Sequence, residues 1–283
     1  MRLLITGAAG QLGFDALREA RRRGFDCTGV DREDFDLTDA AAVAEALQKT
    51  QPEAILHCAA YTAVDKAEEE SALAMAINKD ATHSLARYCD QTGALLLYIS
   101  TDYVFNGSGC RPWEAEDTPA PLSVYGKTKL AGERAASLCP RHMIVRTSWV
   151  FGANGGNFVK TMLRLGRERE TLRVVNDQIG APTYTVDLAR LLCDMLEQPQ
   201  PGIYHASNGG ECSWAGFAQE IFRQTELPTQ VIPVPSSEYP QAARRPKNSR
   251  LSPRSLLATG YAPLPDWQGA LERFLCDFAA QNK

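Results

Sequence analysis

The chain opens Met1-Arg2-Leu3-Leu4-Ile5-Thr6-Gly7-Ala8-Ala9-Gly10-Gln11-Leu12-Gly13, and this stretch decides the fold. Arg2 to Thr6 is a short apolar run of strand length that ends in glycines. Leu12, Ala16, Leu17 and Ala20 then recur at helical spacing as far as Arg23, and Gly24 closes the helix. Three glycines between a strand and a helix permit a tight turn and let the backbone approach a pyrophosphate. The helix start adds free N–H groups and partial positive charge. Gly7, Gly10 and Gly13 therefore read as a dinucleotide-binding turn.

The same alternation continues outward. Cys27–Val30, Ala54–His57, Leu95–Ser100 and Met143–Thr147 read as strands. Ala40–Lys49, with Thr38 or Asp39 as its cap, Ser71–Thr92 and Tyr125–Ser137 read as helices. Short apolar strands alternating with helices predict an α/β class, a Rossmann-type doubly wound parallel sheet covered on both faces, over residues 1–150. After Trp149 the pattern loosens. Glycine and asparagine crowd residues 152–157, and prolines cluster between Pro228 and Pro265. Residues 151–283 are expected to form mostly a smaller C-terminal substrate lobe, with a strand near 202–206 returning to the main sheet.

Composition narrows the function classes. The 283 residues are 44% hydrophobic and 23% charged, ordinary for a globular protein with a sizeable core. A net charge of −4 speaks against bulk affinity for nucleic acid or an anionic membrane. The longest apolar run, Ala94–Ile99, has only strand length, and the first residues do not read as a signal peptide. The eight cysteines form no C-x-x-C pair, so they are expected to be free thiols in a cytoplasmic protein. The four histidines are scattered, and no zinc pattern emerges.

Asp31 ends the second strand, 18 residues after Gly13, where a dinucleotide fold places the acid that holds the adenosine ribose. Its carboxylate favours NAD, whereas Arg32 beside it can pair with a 2′-phosphate, so NADH and NADPH both stay open. Asp36 and Leu37 are expected near the adenine, and the small Ala59 and Ala60 beside the cofactor. Tyr125-Gly126-Lys127-Thr128-Lys129 carries Tyr-x-x-x-Lys, whose spacing puts Lys129 on the helix face of Tyr125. A neighbouring ammonium favours phenolate, so a lowered tyrosine pKa is expected and the pair reads as an acid–base device. Thr101 ends the fourth strand, beyond whose carboxyl end ligands bind, and its hydroxyl can bond a substrate carbonyl.

Together these residues resemble the extended short-chain dehydrogenase/reductase superfamily. Longer stretches narrow the likeness: Ala59-Ala60-Tyr61-Thr62-Ala63-Val64-Asp65-Lys66-Ala67-Glu68, Ser100-Thr101-Asp102-Tyr103-Val104-Phe105, Arg146-Thr147-Ser148-Trp149-Val150-Phe151 and Asn176-Asp177-Gln178-Ile179-Gly180-Ala181-Pro182-Thr183. They resemble the dTDP-4-dehydrorhamnose reductase family from Met1 to about Leu196, and again over Arg245–Leu251. That resemblance implies reduction of the C4 ketone of a dTDP-linked 6-deoxy-4-ketohexose with NADPH or NADH, making dTDP-L-rhamnose for surface polysaccharides. It implies Tyr125 as proton donor, Lys129 as its partner, and Thr101 and Asp102 against the sugar. Trp149 would pack on the substrate, with Val64 and Tyr103 close by. Gly10, Gln11, Leu12, Asp31, Asp36, Leu37, Ala59, Ala60 and Tyr61 would hold the cofactor. Some members carry magnesium at a dimer contact built from acids. Asp15 matches one such position with a shorter side chain and a second match is missing, so no metal residue is assigned, and a monomer or homodimer is expected. Arg245 and Arg244, in a proline-bounded loop, are candidates for the diphosphate.

Two rival readings compete with this one. A nucleotide-sugar dehydratase or epimerase is one, but a dehydratase needs an Asp-Glu pair after the threonine, and here Tyr103 follows Asp102. A non-catalytic subunit of the kind that partners methionine adenosyltransferase is the other, and an intact Thr101, Tyr125 and Lys129 set argues for catalysis instead.

Overall fold

In β1 (Arg2–Thr6) the side chains alternate, so Leu3 and Ile5 enter one apolar layer and Leu4 the opposite one. The computed structural model describes residues 1–281. Strands β2 (Asp26–Val30), β3 (Ala54–His57), β4 (Leu95–Thr101) and β5 (His142–Thr147) join β1 in one parallel sheet. Gly202–His205 pairs with the outer edge of β5, as the sequence pattern predicted, and completes six strands. The order across the sheet is 202–205, β5, β4, β3, β1, β2. Successive strands run outward from β1 in both directions, so the topological switch lies between β1 and β3, at the carboxyl ends where the ligand crevice of such sheets forms.

Helix α1 (Gln11–Arg22) and the helix Thr185–Glu197 cover one face, sharing a core with Leu3, Ile5, Leu56, Leu97 and Val145. Helix α2 (Ala40–Thr50) and the helical stretch after β3 cover the other, around Leu4, Ile55, Leu96 and Tyr98. Asp39 is the residue that caps α2, accepting from Ala41 N at 2.8 Å. The helix expected over 71–92 is interrupted. It begins as α3 (Ser71–Met75), passes through a π-turn over Ala76–Asp80 and resumes as α4 (Ala81–Thr92), ending at Gly93 with φ +74°. Helix α5 (Val124–Ala136) packs against α4 and β4.

Beyond residue 150 a second core gathers Phe151 from the short strand Val150–Phe151 with Val159, Met162, Phe217, Trp267 and Phe274 from the helices 158–168, 214–224 and 267–281. This half is more regular than its glycines and prolines suggested. The chain passes between the halves repeatedly: Thr185–Glu197, the 202–205 strand, Leu256, Tyr261 and Leu264 all pack with the large sheet. No helix among the described residues is long and apolar enough to cross a membrane.

Candidate active site

The glycine turn is shaped for close approach. Gly7 adopts φ +68°, and a Cβ there would stand 2.7 Å from Ala59 N, while one on Gly13 would stand 2.1 Å from Gly7 O. Helix α1 starts at Gly10 with no side-chain cap, so its first N–H groups remain available to a pyrophosphate. Gln11 follows at the rim, and Leu12 is buried in the core behind it. Asp31 sits at the end of β2, accepting from Ala9 N at 2.8 Å through Oδ2 and from Arg32 N at 2.7 Å through Oδ1. It therefore braces the turn, at the position where the sequence reading expects a ribose. Arg32 is exposed. Asp36 accepts from Thr38 N and Oγ1, both at 2.8 Å, and Leu37 packs on the α2 side of the sheet. Ala59 and Ala60 are half-buried beyond β3. This uncapped, glycine-rich cradle with a carboxylate at its far end fits a dinucleotide.

The C-terminal half closes over this turn with groups the sequence did not reveal. Asn154 Nδ2 donates to Ala9 O at 2.5 Å, and Asn157 Nδ2 donates to Gln11 Oε1 at 3.0 Å.

Thr101 ends β4, and α5 delivers Tyr125 and Lys129 next to it. Ser123 caps α5 by accepting from Gly126 N at 3.2 Å. Glycines let the helix sink in: a Cβ on Gly126 would lie 2.2 Å from Tyr103 O, and one on Gly132 would lie 2.2 Å from Asn78 O. Lys129 is buried, donates from Nζ to Ile99 O at 2.7 Å and rests 4.1 Å above the Tyr98 ring. Burial draws its ammonium down to about 7. Tyr125 departs from the sequence expectation: burial pushes its phenol upward, opposed by a hydrogen bond with Thr101. The ammonium does not offset this burial: it bonds a backbone carbonyl, and no Tyr125–Lys129 hydrogen bond occurs among the described residues.

Behind the pair stand residues that the sequence reading missed. Asn78 lies in the π-turn, donates to Thr128 Oγ1 at 2.9 Å and accepts from Tyr61 N at 2.8 Å. The Tyr61 hydroxyl itself bonds Glu70. His57 bridges Thr6 (2.6 Å) and Thr82 (3.2 Å), and burial next to Lys129 lowers it to about 3, keeping it neutral. Under Thr101, Glu133 and Arg146 form a buried pair, which also engages Ser100 and His205.

The residues expected on the substrate side come from both halves. Asp102 is 2% exposed, and its Oδ2 has no hydrogen-bond partner among the described residues. Burial raises the carboxyl to about 6 against the nearby hydroxyls of Ser249 and Thr101. Tyr103 meets Tyr125 edge to face, with ring centres 5.4 Å apart. Trp149 takes φ +49°, unusual for a bulky residue, and stacks on Trp214 at 3.7 Å; Gly180 leaves room beside it. Val64 is half-buried in the loop that also carries Asp65. Arg245 reaches Tyr103 OH (3.0 Å) and Asp65 (2.7 Å), whereas Arg244 is exposed and makes no ion pair among the described residues. Asp15 is buried on α1, accepting from Thr185 Oγ1 at 2.5 Å. Among the described residues no group of three His, Cys, Asp or Glu is placed to hold a metal.

Comparison with known proteins fits this geometry. The family described as the RmlD substrate binding domain matches residues 1–280. A dTDP-4-dehydrorhamnose reductase of Streptomyces griseus is 45% identical, covering 95% of this chain and 91% of its own. The enzyme of the same description from Salmonella typhimurium is 41% identical over 98% of each chain. The crystal structure of a dTDP-4-dehydrorhamnose reductase from Bacillus anthracis in complex with NADP superposes with a TM-score of 0.95. It shares 42% identity and covers 98% of this chain and 99% of that one.

Proposed function

Because this chain belongs to the RmlD substrate binding domain family, we propose that it reduces the C4 ketone of dTDP-4-dehydro-L-rhamnose, giving dTDP-L-rhamnose for surface polysaccharide synthesis. It is an NAD(P)H-dependent oxidoreductase. The observation that carries the reading is the meeting of Thr101, Tyr125 and Lys129 at the carboxyl edge of the sheet, beside a turn that fits a dinucleotide.

Gly7, Gly10, Gln11, Leu12, Gly13, Asp31, Asp36, Leu37, Ala59, Ala60 and Tyr61 form the cofactor side, with Tyr125 and Lys129 where the two ligands meet. Bound NAD(P)H supplies the hydride that reaches the carbonyl carbon. Thr101 and Tyr125 bond the carbonyl oxygen and fix the face it presents. Because burial keeps the phenol protonated through the neutral range, Tyr125 holds the proton that the developing alkoxide takes. Lys129, on the same face of α5, is the tyrosine's partner in this reading, and burial lowers its ammonium to about 7. Asp102, with a buried and unpartnered oxygen, matches a sugar hydroxyl. Val64, Tyr103 and the stacked Trp149 form the apolar wall, and Arg245 lies behind Tyr103. Arg244 is the freer cation for the diphosphate. The chain acts as a monomer or homodimer in the cytoplasm, a setting that suits its eight unpaired thiols. Asp15, already engaged with Thr185, has no place in a metal-linked contact in this reading.

The test supplies dTDP-4-dehydro-L-rhamnose with NADPH or NADH, follows nicotinamide absorbance and identifies the product by NMR. Wild type should yield dTDP-L-rhamnose, and Tyr125→Phe should lose about 10²–10⁴ in kcat at unchanged cofactor affinity. A folded chain that binds NADPH without turnover, or near-wild-type activity in Tyr125→Phe, would refute the respective assignment.

A further inference from the structure

One contact set lies outside the roles assigned above. Asp65, in the loop after β3, accepts from Ala243 N at 3.0 Å and from Arg245 Nη2 at 2.7 Å. Arg245 in turn donates from Nη1 to the Tyr103 hydroxyl at 3.0 Å. Its Nε is buried and unpartnered, so the guanidinium is held by these two bonds alone among the described residues. Two segments 180 residues apart are thus joined through one side chain.

Tyr103 is where this clasp meets the chemistry. Its N–H donates to Thr101 Oγ1 at 3.2 Å, and its carbonyl lies where a Cβ on Gly126 would collide, so its backbone is pinned between β4 and α5. The ring packs edge to face on Tyr125, and its hydroxyl is the end that a further bond can fix. Arg245 supplies that anchor, and the anchored ring presents its plane at 75° to Tyr125.

We infer that Asp65 and Arg245 are a positioning pair, which holds the Tyr103 ring against Tyr125 and thereby sets the direction of the proton donor. The inference rests on the reductase reading. An arginine already committed to Tyr103 and Asp65 acts on kcat, whereas one that grips a diphosphate acts on KM.

The experiment measures kcat, KM and NADPH affinity for Asp65→Ala, Arg245→Gln, Tyr103→Phe and the Arg245→Gln/Tyr103→Phe double variant. Each single variant should lose about tenfold in kcat, with KM and NADPH affinity within about twofold. The double variant should lose no more than the worse single one, because both changes cut the same link. Arg245→Lys, which keeps the charge but offers only one nitrogen, should recover part of the rate. If Arg245→Gln does not fold, Tyr103→Phe and Arg245→Lys carry the same test. A KM rise of tenfold or more at unchanged kcat, or multiplicative losses in the double variant, would overturn the positioning role. A wild-type chain that binds NADPH yet reduces nothing would instead overturn the reductase reading, and the pair's role with it.

Discussion

Replacing Arg146 by methionine tests the polar support beneath the active site. Arg146 is 2% exposed and forms a two-pronged pair with Glu133, at 2.8 Å from Nε and 2.7 Å from Nη2. Its remaining nitrogen donates to Ala115 O at 3.1 Å and approaches His205 Nε2 at 3.4 Å. His205 is driven down to about 3, first by burial and then by Arg146 itself, so it is neutral. With Nδ1 facing Trp113 O, its Nε2 is left as the acceptor. The variant strands the Glu133 carboxylate in the core with Ser100 as its one remaining partner of this network. Uncompensated buried charge of this kind costs about 3–5 kcal/mol. For a chain of this length each kcal/mol moves Tm by about 2–4 °C, so Tm should fall by roughly 6–20 °C. Glu133→Leu combined with Arg146→Met removes both charges and should cost less than either change alone. Urea unfolding of the four proteins, with calorimetry, gives the cycle. An Arg146→Met loss under about 1 kcal/mol, or a double variant as weak as the two losses added, would refute the argument.

Two further outcomes follow from the site. Asp31→Ala should weaken both cofactors by loosening the Ala9 brace, whereas Asp31→Asn keeps an acceptor and removes the charge, so it should shift relative affinity toward NADPH. Titration of both variants with both cofactors checks this, and an unchanged preference in Asp31→Asn refutes it. Lys129→Met should abolish turnover yet raise Tm in the cofactor-free protein. The folded pKa near 7 lies below the ordinary 10.5, so between those values the unfolded chain binds more protons and the lysine's cost falls as pH rises. The variant's advantage should therefore be greatest below pH 7 and vanish above about pH 10.5; a flat difference across that window would refute it.

The sheet was legible because short apolar strands, glycine stops and helical periodicity are local signals. The glycine turn and the Tyr125–Lys129 spacing were legible for the same reason. Asn78 was hidden because one π-turn widens a single turn of a run that still reads as plain helix. The left-handed Trp149 was hidden because propensity argues against it. Its conformation is held from outside, by Thr183 N donating to Trp149 O at 3.1 Å and by the stack on Trp214. The direction of the Tyr125 shift comes from burial, whereas spacing on a helix gives only which face the two residues share. Asp65 and Arg245 meet from opposite ends of the chain, a contact that no local pattern encodes.

The strand Gly202–His205 also has a consequence for synthesis. It completes the sheet on the outer edge of β5, yet it emerges from the ribosome roughly 58 residues after Thr147, which is about 3–12 s at ordinary elongation rates. Over that interval β5 carries an unpaired row of backbone groups, and its apolar face lacks the cover of Thr185–Glu197. A nascent chain stalled between these points would expose a sticky edge that chaperones are suited to shield. Synonymous codon changes that slow translation across 150–200 should therefore lower soluble yield without altering the finished protein.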